Sequence, residues 1–439
     1  MFKKYDAYKD SGVDWLGTIP EEWELKKLKF VLNEINIRSE TGDETLLSLS
    51  KYKGVIPKDS LEERSGGAST LIGYKKVFKN NLVINKMQAV NGLLAVSELD
   101  GITSPDYSIY CARNNLINIH YISFLLNQPE YLAEMKKRVT GVMEGFIRLY
   151  TDDLYDIKAI IPSITEQNQI VSFLQNKLAE IDQAIAIKQQ QIALLNERKQ
   201  IVIQKAVTQG LNPNVEMKDS GVEWIGQIPE HWEIVTKLKF ISSLKGRQGW
   251  QGLKADEYID EGPFVVSSAH FDGLNIEWHK CPHVSKERYE MDAHIQLKVG
   301  DILLMKDGAK MGKLAFVSNL PDLACLNSHL LLIRSLKKAD KYFFDAKYML
   351  YFMLSGKFQD YVQVKGTGTT FMGISQESIG NFSLALPSFE EQIEIASFLD
   401  QKLSEFDCGK ELLLSQIEKL KEYKTTLIND AVTGKIKVA

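Results

Sequence analysis

The chain has 439 residues, 44% of them hydrophobic, and a formal net charge of -4 at pH 7. This length allows roughly two to four domains with substantial cores. The slight negative charge argues against a protein that coats nucleic acid by bulk electrostatics, although local basic clusters remain compatible with DNA binding. No apolar run approaches the roughly 20 residues of a membrane span, so we expect a soluble, cytoplasmic protein with no membrane partner.

The first predicted element is a motif that occurs twice. Residues 9–20 are KDSGVDWLGTIP and precede Trp23, and residues 218–229 are KDSGVEWIGQIP and precede Trp232. The offset between the two copies is 209 (219 − 10). A duplication of this length predicts two similar modules, and therefore a target that itself has two similar parts.

A globular segment of mixed α/β patterning follows each copy of the motif. Within it, a β-rich run that ends in a basic turn, Asn81–Met87, matches Asp301–Asp307 at an offset of 220 (301 − 81). The loops around these runs differ strongly between the two segments. A repeated scaffold with divergent loops is the pattern expected of two readers of different targets.

A long helix is predicted after each globular segment. Residues 165–208 contain no Pro or Gly, and apolar residues recur there in alternating steps of three and four. The same pattern returns at an offset of 225 (387 − 162). Matched seams of this kind predict two helices of roughly 60 Å that pair with each other. We assign to the seam Leu174, Leu178, Ile181, Ile185, Ile192, Leu195, Leu399, Leu403, Phe406, Leu413, Ile417 and Leu420.

Four lysines also occupy seam positions, namely Lys188, Lys199, Lys410 and Lys424. Their amines are expected to extend to the edge of the seam, and the alternative is that they fix its register. The resulting order is globular, helix, globular, helix. We place the four segments at residues 1–162, 163–210, 211–387 and 388–439.

Motifs for catalysis or metal binding are missing from the sequence. Residues 308–314, GAKMGKL, lack the spacing and the Ser or Thr of a phosphate-binding loop, and are better explained as a basic turn. Ligand types alternate along residues 279–283, HKCPH, so they point to opposite faces, and the four cysteines form no CxxC pair. We expect a non-catalytic chain without a metal site.

Three repeated motifs together resemble the specificity subunits of type I restriction–modification systems. They are the opening KDSGV motif, the IPS…EQ entry to the first long helix with its PSFEEQ counterpart, and the AVT exit from both helices. The resemblance covers the whole chain in the order expected of that family. It implies an α/β (α+β) fold in which two pseudo-symmetric target-recognition domains are joined by two long helices that form an antiparallel coiled coil.

The resemblance also implies what the chain binds. Each globular domain would recognise one half of a bipartite, non-palindromic sequence in double-stranded DNA, and the helices would fix the gap between the halves. Two modification subunits would dock on the helices and methylate adenine with S-adenosylmethionine, and restriction subunits would use ATP and Mg²⁺ for translocation and cleavage. The chain itself would hold no cofactor and supply specificity only.

Base-contacting residues are assigned from position and residue type, because side chains of Lys, Arg, Gln, Asn and Thr contact phosphates and base edges. Arg148 aligns with Gly373 at an offset of 225 (373 − 148), so its alternative role is to brace the first domain against the helices. The candidates are Lys86, Gln88, Asn91 and Arg148 in the first domain, and Lys306, Lys310, Lys313, Thr367, Thr369 and Thr370 in the second.

Two other functions remain open at this point. Exposed lysines are common on any protein surface, so the duplicated domains would also suit a coiled-coil scaffold that binds proteins and reads no DNA. An unrecognised nuclease or metal-dependent enzyme is the third possibility. DNA affinity of loop variants separates the first two, and metal analysis of the purified chain tests the third.

Overall fold

The computed structural model describes residues 2–51, 53–60, 70–139, 147–247, 252–291, 293–368 and 372–438. It divides into two compact units, the first formed by Met1–Lys188 with Ser415–Ala439 and the second by Gln189–Leu414. Each unit therefore contains one globular part and a stretch of both long helices. The segment boundaries proposed above stay a prediction. Among the described residues no helix is long and apolar enough to cross a membrane.

Short strands make up most of the first globular part. They are β1 (Tyr8–Asp10), β2 (Thr18–Pro20), β3 (Glu24–Lys27), β4 (Leu32–Ile35), β5 (Leu47–Ser50), β6 (Gly54–Pro57), β7 (Lys75–Val77), β8 (Leu82–Asn85), β9 (Leu94–Val96), β10 (Gly101–Thr103), β11 (Tyr107–Ala112) and β12 (Lys158–Ile161). Helices α1 (Ile119–Leu126), α2 (Pro129–Arg138) and α3 (Thr151–Tyr155) precede the long helix α4 (Ile164–Gln209).

The centre of the first globular part is an antiparallel sheet with the strand order β4-β11-β8-β9. Alternate residues of β8 point to opposite faces, as the two-residue period of a strand requires. Leu82 and Ile84 enter the core beneath the helices, whereas Val83 packs with Leu47 and Leu49 of the β5–β6 hairpin. The sheet is thus covered on both faces, which explains the continuous apolar run in β8.

The second globular part continues the strand and helix numbering. Its strands are β13 (Met217–Asp219), β14 (Gln227–Pro229), β15 (Ile234–Lys237), β16 (Ser242–Gly246), β17 (Ile259–Val266), β18 (Phe271–Asp272), β19 (Asn275–Ile276), β20 (Ile302–Met305), β21 (Leu314–Phe316), β22 (Ala324–Leu326), β23 (Leu330–Ser335), β24 (Lys337–Lys338), β25 (Lys341–Tyr342) and β26 (Ser383–Leu386). Its helices are α5 (Leu238–Ile241), α6 (Lys286–Met291), α7 (Ala346–Leu354), α8 (Gly356–Lys365), α9 (Gln376–Gly380) and the long α10 (Phe389–Val432).

The sheet of the second part repeats the first, with the antiparallel order β16-β23-β20-β21. The additions to this sheet differ between the two parts. Where the first has the β5–β6 hairpin, the second has β17 paired in parallel with β22. The prediction of a repeated scaffold with divergent surroundings is confirmed, as is the mixed helix and strand fold class.

Both long helices form as predicted, with 46 residues in α4 and 44 in α10. Gly210 follows α4 with a φ of 72°, the left-handed conformation that ends many helices. Within each unit the stretches of α4 and α10 run antiparallel. In the first unit Asp182 binds Lys424 while Lys188, further along α4, binds Gln416, which is earlier in α10.

The predicted seam residues are all at least half-buried. Side chains with little exposure are Leu174, Ile181, Leu399, Leu403 and Ile417, and half-buried ones are Leu178, Ile185, Ile192, Leu195, Phe406, Leu413 and Leu420. Lys188, Lys199 and Lys424 each bind a side chain on the facing helix. These lysines therefore reach the edge of the seam and contribute to its register at the same time.

The repeated opening motif has a structural role at the first turn of each long helix. The β1–β2 hairpin leads to Trp23, which is 1% exposed and donates from Nε1 to Glu166 of α4 at 3.1 Å. Trp232, also 1% exposed, donates in the same way to Glu391 of α10 at 3.1 Å. The motif thus ties each globular part to the start of a long helix.

A buried amide forms a second tie beside each tryptophan. The Gln167 Oε1 atom accepts from the backbone N–H of Asn118 at 2.8 Å, and its Nε2 atom donates to the carbonyls of Leu116 and Pro162. Gln392 accepts in the same way from Asp345 at 2.8 Å in the second unit. Since Asn118 and Asp345 are the N-caps of α1 and α7, the glutamines orient these helices against α4 and α10.

Candidate nucleic-acid interface

The candidate site of the first unit is the turn after β8. The Asn85 side chain accepts from the backbone N–H of Met87 at 3.0 Å, and Asn91 Nδ2 donates to Gln88 Oε1 at 2.7 Å. Gly92 closes the turn with a φ of 78°. These bonds hold Gln88 and Asn91, both exposed, next to each other at the end of the strand.

The structure brings Lys86 and Arg148 to the same place. The carbonyl of Lys86 accepts from the backbone N–H of Leu149 at 3.0 Å, which holds the segment containing Arg148 beside the turn. The exposed Arg148 guanidinium lies 3.3 Å from Asp106, in the turn before β11. This ion pair lies within the globular part of the first unit.

A buried lysine lies close to this turn. Lys75 is 3% exposed, donates to the carbonyl of Tyr107 at 2.8 Å and lies 3.8 Å from Glu34. Burial, together with the positive charge of Lys86, lowers the pKa of the Lys75 amine. The next residue, Lys76, pairs with Glu44 at 3.0 Å. Among the described residues Lys86 has no acidic partner, so its charge is available to a ligand.

The corresponding turn of the second unit follows β20. Its glycines adopt positive φ angles, 92° at Gly308 and 97° at Gly312, and the turn leads directly into the antiparallel strand β21. A phosphate-binding loop would instead lead from a strand into a helix. Residues 308–314 therefore form the basic turn that their sequence predicts.

The turn after β20 is held by the same backbone bond as the turn after β8. The carbonyl of Lys306 accepts from Ile374 at 2.8 Å, which is the counterpart of the Lys86 to Leu149 bond, with its donor at an offset of 225 (374 − 149). Thr367 and Gly373 exchange hydrogen bonds of 2.8 and 2.9 Å. These bonds bring Thr367 and Lys306 together.

The remaining candidates of the second unit have different surroundings. Lys310 is exposed and has no acidic partner in the described part of the chain. The Lys313 amine donates to the carbonyl of Phe271 at 2.8 Å and lies over its ring at 5.5 Å, so it is already engaged within the unit. Thr369 and Thr370 lie outside the described residues.

Sequence reasoning missed a pair of side chains at this turn. The Nδ1 atom of His329 lies 2.6 Å from the Oδ1 atom of Asp307. The backbone N–H of Lys306 donates to the His329 carbonyl at 3.1 Å, so the pair belongs to the candidate site. No local pattern indicates a contact between residues 22 apart in sequence, and only the pairing of β20 with β23 brings them together.

Cys281 and His283 of the HKCPH segment each have a hydrogen-bond partner within the second unit. Burial raises the pKa of the Cys281 thiol to about 11, and His283 makes a hydrogen bond of 2.6 Å with the carbonyl of Gly262 through Nδ1. Within the ranges that the structure describes, no three His, Cys, Asp or Glu side chains are grouped to hold a metal ion.

Comparison with known proteins agrees with this geometry. The family model described as the type I restriction modification DNA specificity domain matches residues 248–419. The type I restriction enzyme MjaVIII specificity subunit of Methanocaldococcus jannaschii is 23% identical over 434 residues, which cover 96% of this chain and 94% of the relative. The putative MjaX specificity subunit of the same organism is 24% identical and covers 100% of this chain and 98% of the relative. The chain is thus similar over nearly its whole length to specificity subunits of type I restriction–modification systems.

Solved structures show the same fold over nearly the full length of this chain. A chain from a study of complex assembly and conformational transition of the type I system has a TM-score of 0.69 at 16% identity and covers 94% of this chain and 98% of that chain. The HsdS subunit from Thermoanaerobacter tengcongensis has a TM-score of 0.55 at 15% identity, with coverage of 95% and 98%.

The matches to the family model and to the two relatives define the role of the chain in coarse terms. The chain supplies DNA specificity and is not itself catalytic, and it acts in a complex with other subunits and DNA. The scaffold function without DNA readout is not favoured, since the matched family is a DNA specificity domain.

Proposed function

We propose that this specificity subunit recognises a bipartite, non-palindromic DNA sequence, with one half read by each globular part. The observation that carries the proposal is that β8 and β20 occupy the same place in sheets of the same strand order, yet end in turns of different chemistry. The matching sheets hold the two turns in equivalent positions. Because the side chains of the turns differ, each turn is expected to recognise a different DNA sequence.

The turns differ in the side chains that they offer to bases and phosphates. The first presents the amides of Gln88 and Asn91 beside Lys86, and amides of this kind pair with adenine. The second presents Lys306 and Lys310 with Thr367, and lysine pairs with guanine or with phosphates. Because the two sets are unlike, the two half-sites are expected to differ.

The paired helices are proposed to set the gap between the half-sites and to dock two modification subunits. Those subunits would bind S-adenosylmethionine and methylate adenine in each half-site. Restriction subunits would add ATP- and Mg²⁺-dependent translocation and cleavage. The chain would hold none of these cofactors and would act in the cytoplasm, where the DNA is. Support comes from the seams of α4 and α10 and from the similarity of the chain to a type I restriction enzyme specificity subunit.

The deciding experiment is to express the chain with its modification subunits and to profile methylation of genomic DNA by single-molecule sequencing. We expect one split motif with methylated adenine in both halves. Replacing residues 1–162 with those of another specificity subunit should change one half only, and a change in both halves would contradict the model of two readers. A matched insertion of one heptad in α4 and α10 should change the gap and leave both halves intact.

A further inference from the structure

An exposed phenylalanine recurs at the same place in both globular parts. Residues 27–30 and 237–240 are both KLKF, at an offset of 210 (240 − 30). The leucine of each copy is buried in the core, which explains why the repeat retains it. Phe30 is 58% exposed and Phe240 is 62% exposed, so core packing does not account for either ring. A large apolar side chain that is exposed in both copies indicates a surface that binds a partner.

A lysine amine lies over each of these rings. The Nζ atom of Lys29 is 5.1 Å from the ring centroid of Phe30, and the Nζ atom of Lys239 is 5.3 Å from that of Phe240. Lys239 also donates to the side chain of Asn381 at 2.8 Å, and this amide carries no charge. Each lysine–phenylalanine pair therefore presents an apolar ring together with a cation.

The pair of the first unit borders a groove at the start of α4. The groove has a volume of about 340 Å³, and its lining includes Phe30, the exposed Leu116 and Ile164, the first residue of α4. In the second unit the first residue of α10 is the exposed Phe389, the counterpart of Ile164 at an offset of 225 (389 − 164). The exposed Ile234 on β15 adds to the apolar surface there.

The pair of the first unit lies at the end of the sheet opposite the turn after β8. Strand β11 begins beside that turn, where Tyr107 pairs with Asn85, and ends where Ala112 pairs with Leu32 of β4. Phe30 is two residues before Leu32. Since β11 has six residues, its ends are separated by about 17 Å. The ring is therefore remote from the side chains proposed to read DNA.

The second unit has the same arrangement. Strand β23 begins beside the turn after β20, where Leu330 pairs with Met305, and ends where Ser335 pairs with Ser242 of β16. Phe240 is two residues before Ser242. In both units the turn and the lysine–phenylalanine pair thus occupy opposite ends of one sheet, which separates a surface for DNA from a second surface.

We propose that each lysine–phenylalanine pair docks one modification subunit. This inference rests on the proposed assembly with two such subunits, and it adds to the long helices a docking surface on each globular part. The turns differ between the units, as unlike half-sites require, whereas a surface kept in both units suits two identical partners. The first residues of α4 and α10 make each surface continuous with a helix on which these subunits are proposed to dock. The partner is expected to offer an apolar pocket for the ring, with carboxylates at its rim for the amine.

The first test measures how many modification subunits bind the full-length chain, and how tightly. Native mass spectrometry and calorimetric titration with the purified modification subunit should give two subunits for each wild-type chain. Phe30→Ala or Phe240→Ala should weaken one of the two binding events by about tenfold or more, because truncation of a buried aromatic anchor has an effect of this size. The double variant should weaken both.

Phe78 provides the matched control for the phenylalanine variants. It is another exposed phenylalanine of the first unit, but the repeat replaces it with Lys298, at an offset of 220 (298 − 78). The backbone N–H of each of these two residues donates to the side chain three residues later, Asn81 or Asp301, which confirms that they correspond. Phe78→Ala should bind two modification subunits with wild-type affinity.

The second test reverses the charge of both amines, with Lys29→Glu and Lys239→Glu in one chain. Binding of both modification subunits should weaken by about tenfold or more, because the new carboxylates would face those of the partner. All four side chains are exposed, so thermal melting of the variants should match that of wild type. If a phenylalanine variant does not fold, the lysine variant decides.

Two results would overturn the inference. One is wild-type affinity for both modification subunits in the double phenylalanine variant. The other is a loss of DNA affinity in complexes that assemble normally, which would assign the pairs to DNA. A wild-type chain that binds no modification subunit would refute the proposed assembly itself, and the inference with it.

Discussion

Lys424 on α10 donates from Nζ to both carboxylate oxygens of Asp182 on α4, at 2.6 and 2.8 Å. In the second unit Lys199 donates to Asp407 at 2.8 Å. The internal repeat relates these two contacts to each other, because 424 − 199 and 407 − 182 both equal 225. Since a shift of either helix by one residue breaks the pair, these contacts favour a single register of the antiparallel helices.

Substitution of Lys424 tests this role in register. Both side chains are partly exposed, so Lys424→Ala should lower the free energy of unfolding by less than about 1 kcal/mol. Lys424→Asp should cost more, because two carboxylates then face each other, and adding Asp182→Lys should restore the loss. A double-mutant cycle in urea measures this coupling. Lys421→Ala is the control, since its partner Glu418 lies on the same helix, and absence of coupling between Asp182 and Lys424 would argue against the register role.

The buried Gln167 should be far more important for stability than the exposed ion pairs. Gln167→Ala leaves the N–H of Asn118 and the carbonyls of Leu116 and Pro162 without their partner, which we expect to lower the free energy of unfolding by about 2–4 kcal/mol. Urea denaturation followed by circular dichroism measures the change. The exposed Gln200 provides the control, Gln200→Ala, which should stay within about 0.5 kcal/mol of wild type. Equal effects of the two substitutions would contradict the tie between α1 and α4.

Alkaline pH should destabilise the first unit through Tyr121. Its hydroxyl donates to the carbonyls of Ile160 and Val432, both at 3.0 Å, and burial raises its pKa well above the ordinary value. The folded state holds the hydroxyl proton of Tyr121 more tightly than the unfolded chain, in which tyrosines titrate at about pH 10. The contribution to stability is therefore complete below about pH 10 and is lost as the pH rises through the folded value.

Melting temperatures between about pH 8 and about pH 11 check this prediction. Tyr121→Phe should already melt lower at about pH 8, because it leaves two buried carbonyls unbonded, but it should lose less stability on further alkalinisation than wild type. The exposed Tyr423 offers a comparison, since Tyr423→Phe should follow the wild-type curve. A Tyr121→Phe curve parallel to that of wild type would show that another group governs the alkaline transition.

Alanine substitutions of three lysines in the second unit should affect either DNA binding or stability, depending on the lysine. Lys306→Ala and Lys310→Ala should weaken DNA binding by the complex, and the slope of log affinity against log salt should fall by about 1 for each phosphate contact removed. Lys313→Ala should leave that slope unchanged and lower the melting temperature, because its amine is bound to the carbonyl of Phe271. Anisotropy titrations at several salt concentrations, with thermal melting in parallel, make the distinction. Intact slopes in Lys306→Ala and Lys310→Ala would favour a protein-binding scaffold.

The sequence was sufficient to predict the periodic parts of the molecule. Every assigned seam position from Leu174 to Leu420 is at least half-buried, because a heptad pattern determines directly which face of a helix is covered. The repeat of Trp23 as Trp232 likewise predicted two equivalent modules. Its physical purpose, a hydrogen bond to Glu166 or Glu391 in the first turn of a long helix, became visible only in the structure.

Contacts between distant residues could not be predicted from a single sequence. The engagement of Lys313 with Phe271 and the pairing of Asp307 with His329 depend on which strands and hairpins adjoin, and no local pattern encodes this. The parallel pairing of β17 with β22 was missed for the same reason. Basic composition therefore located the candidate turns but did not distinguish lysines that are free to bind from those engaged within the unit.

The division of the chain also has a consequence for its synthesis. The first unit needs residues 415–439, and Leu427, Ala431 and Val432 of that stretch lie in its core. A ribosome adding about 5–20 residues per second takes roughly 10 to 45 s to proceed from residue 188 to residue 415. During that interval the apolar seam of the emerging α4 lacks its partner helix, whereas the second unit, contiguous in sequence, can close as soon as it has emerged. The nascent first half is thus the stage at which aggregation, or capture by a chaperone, competes with folding.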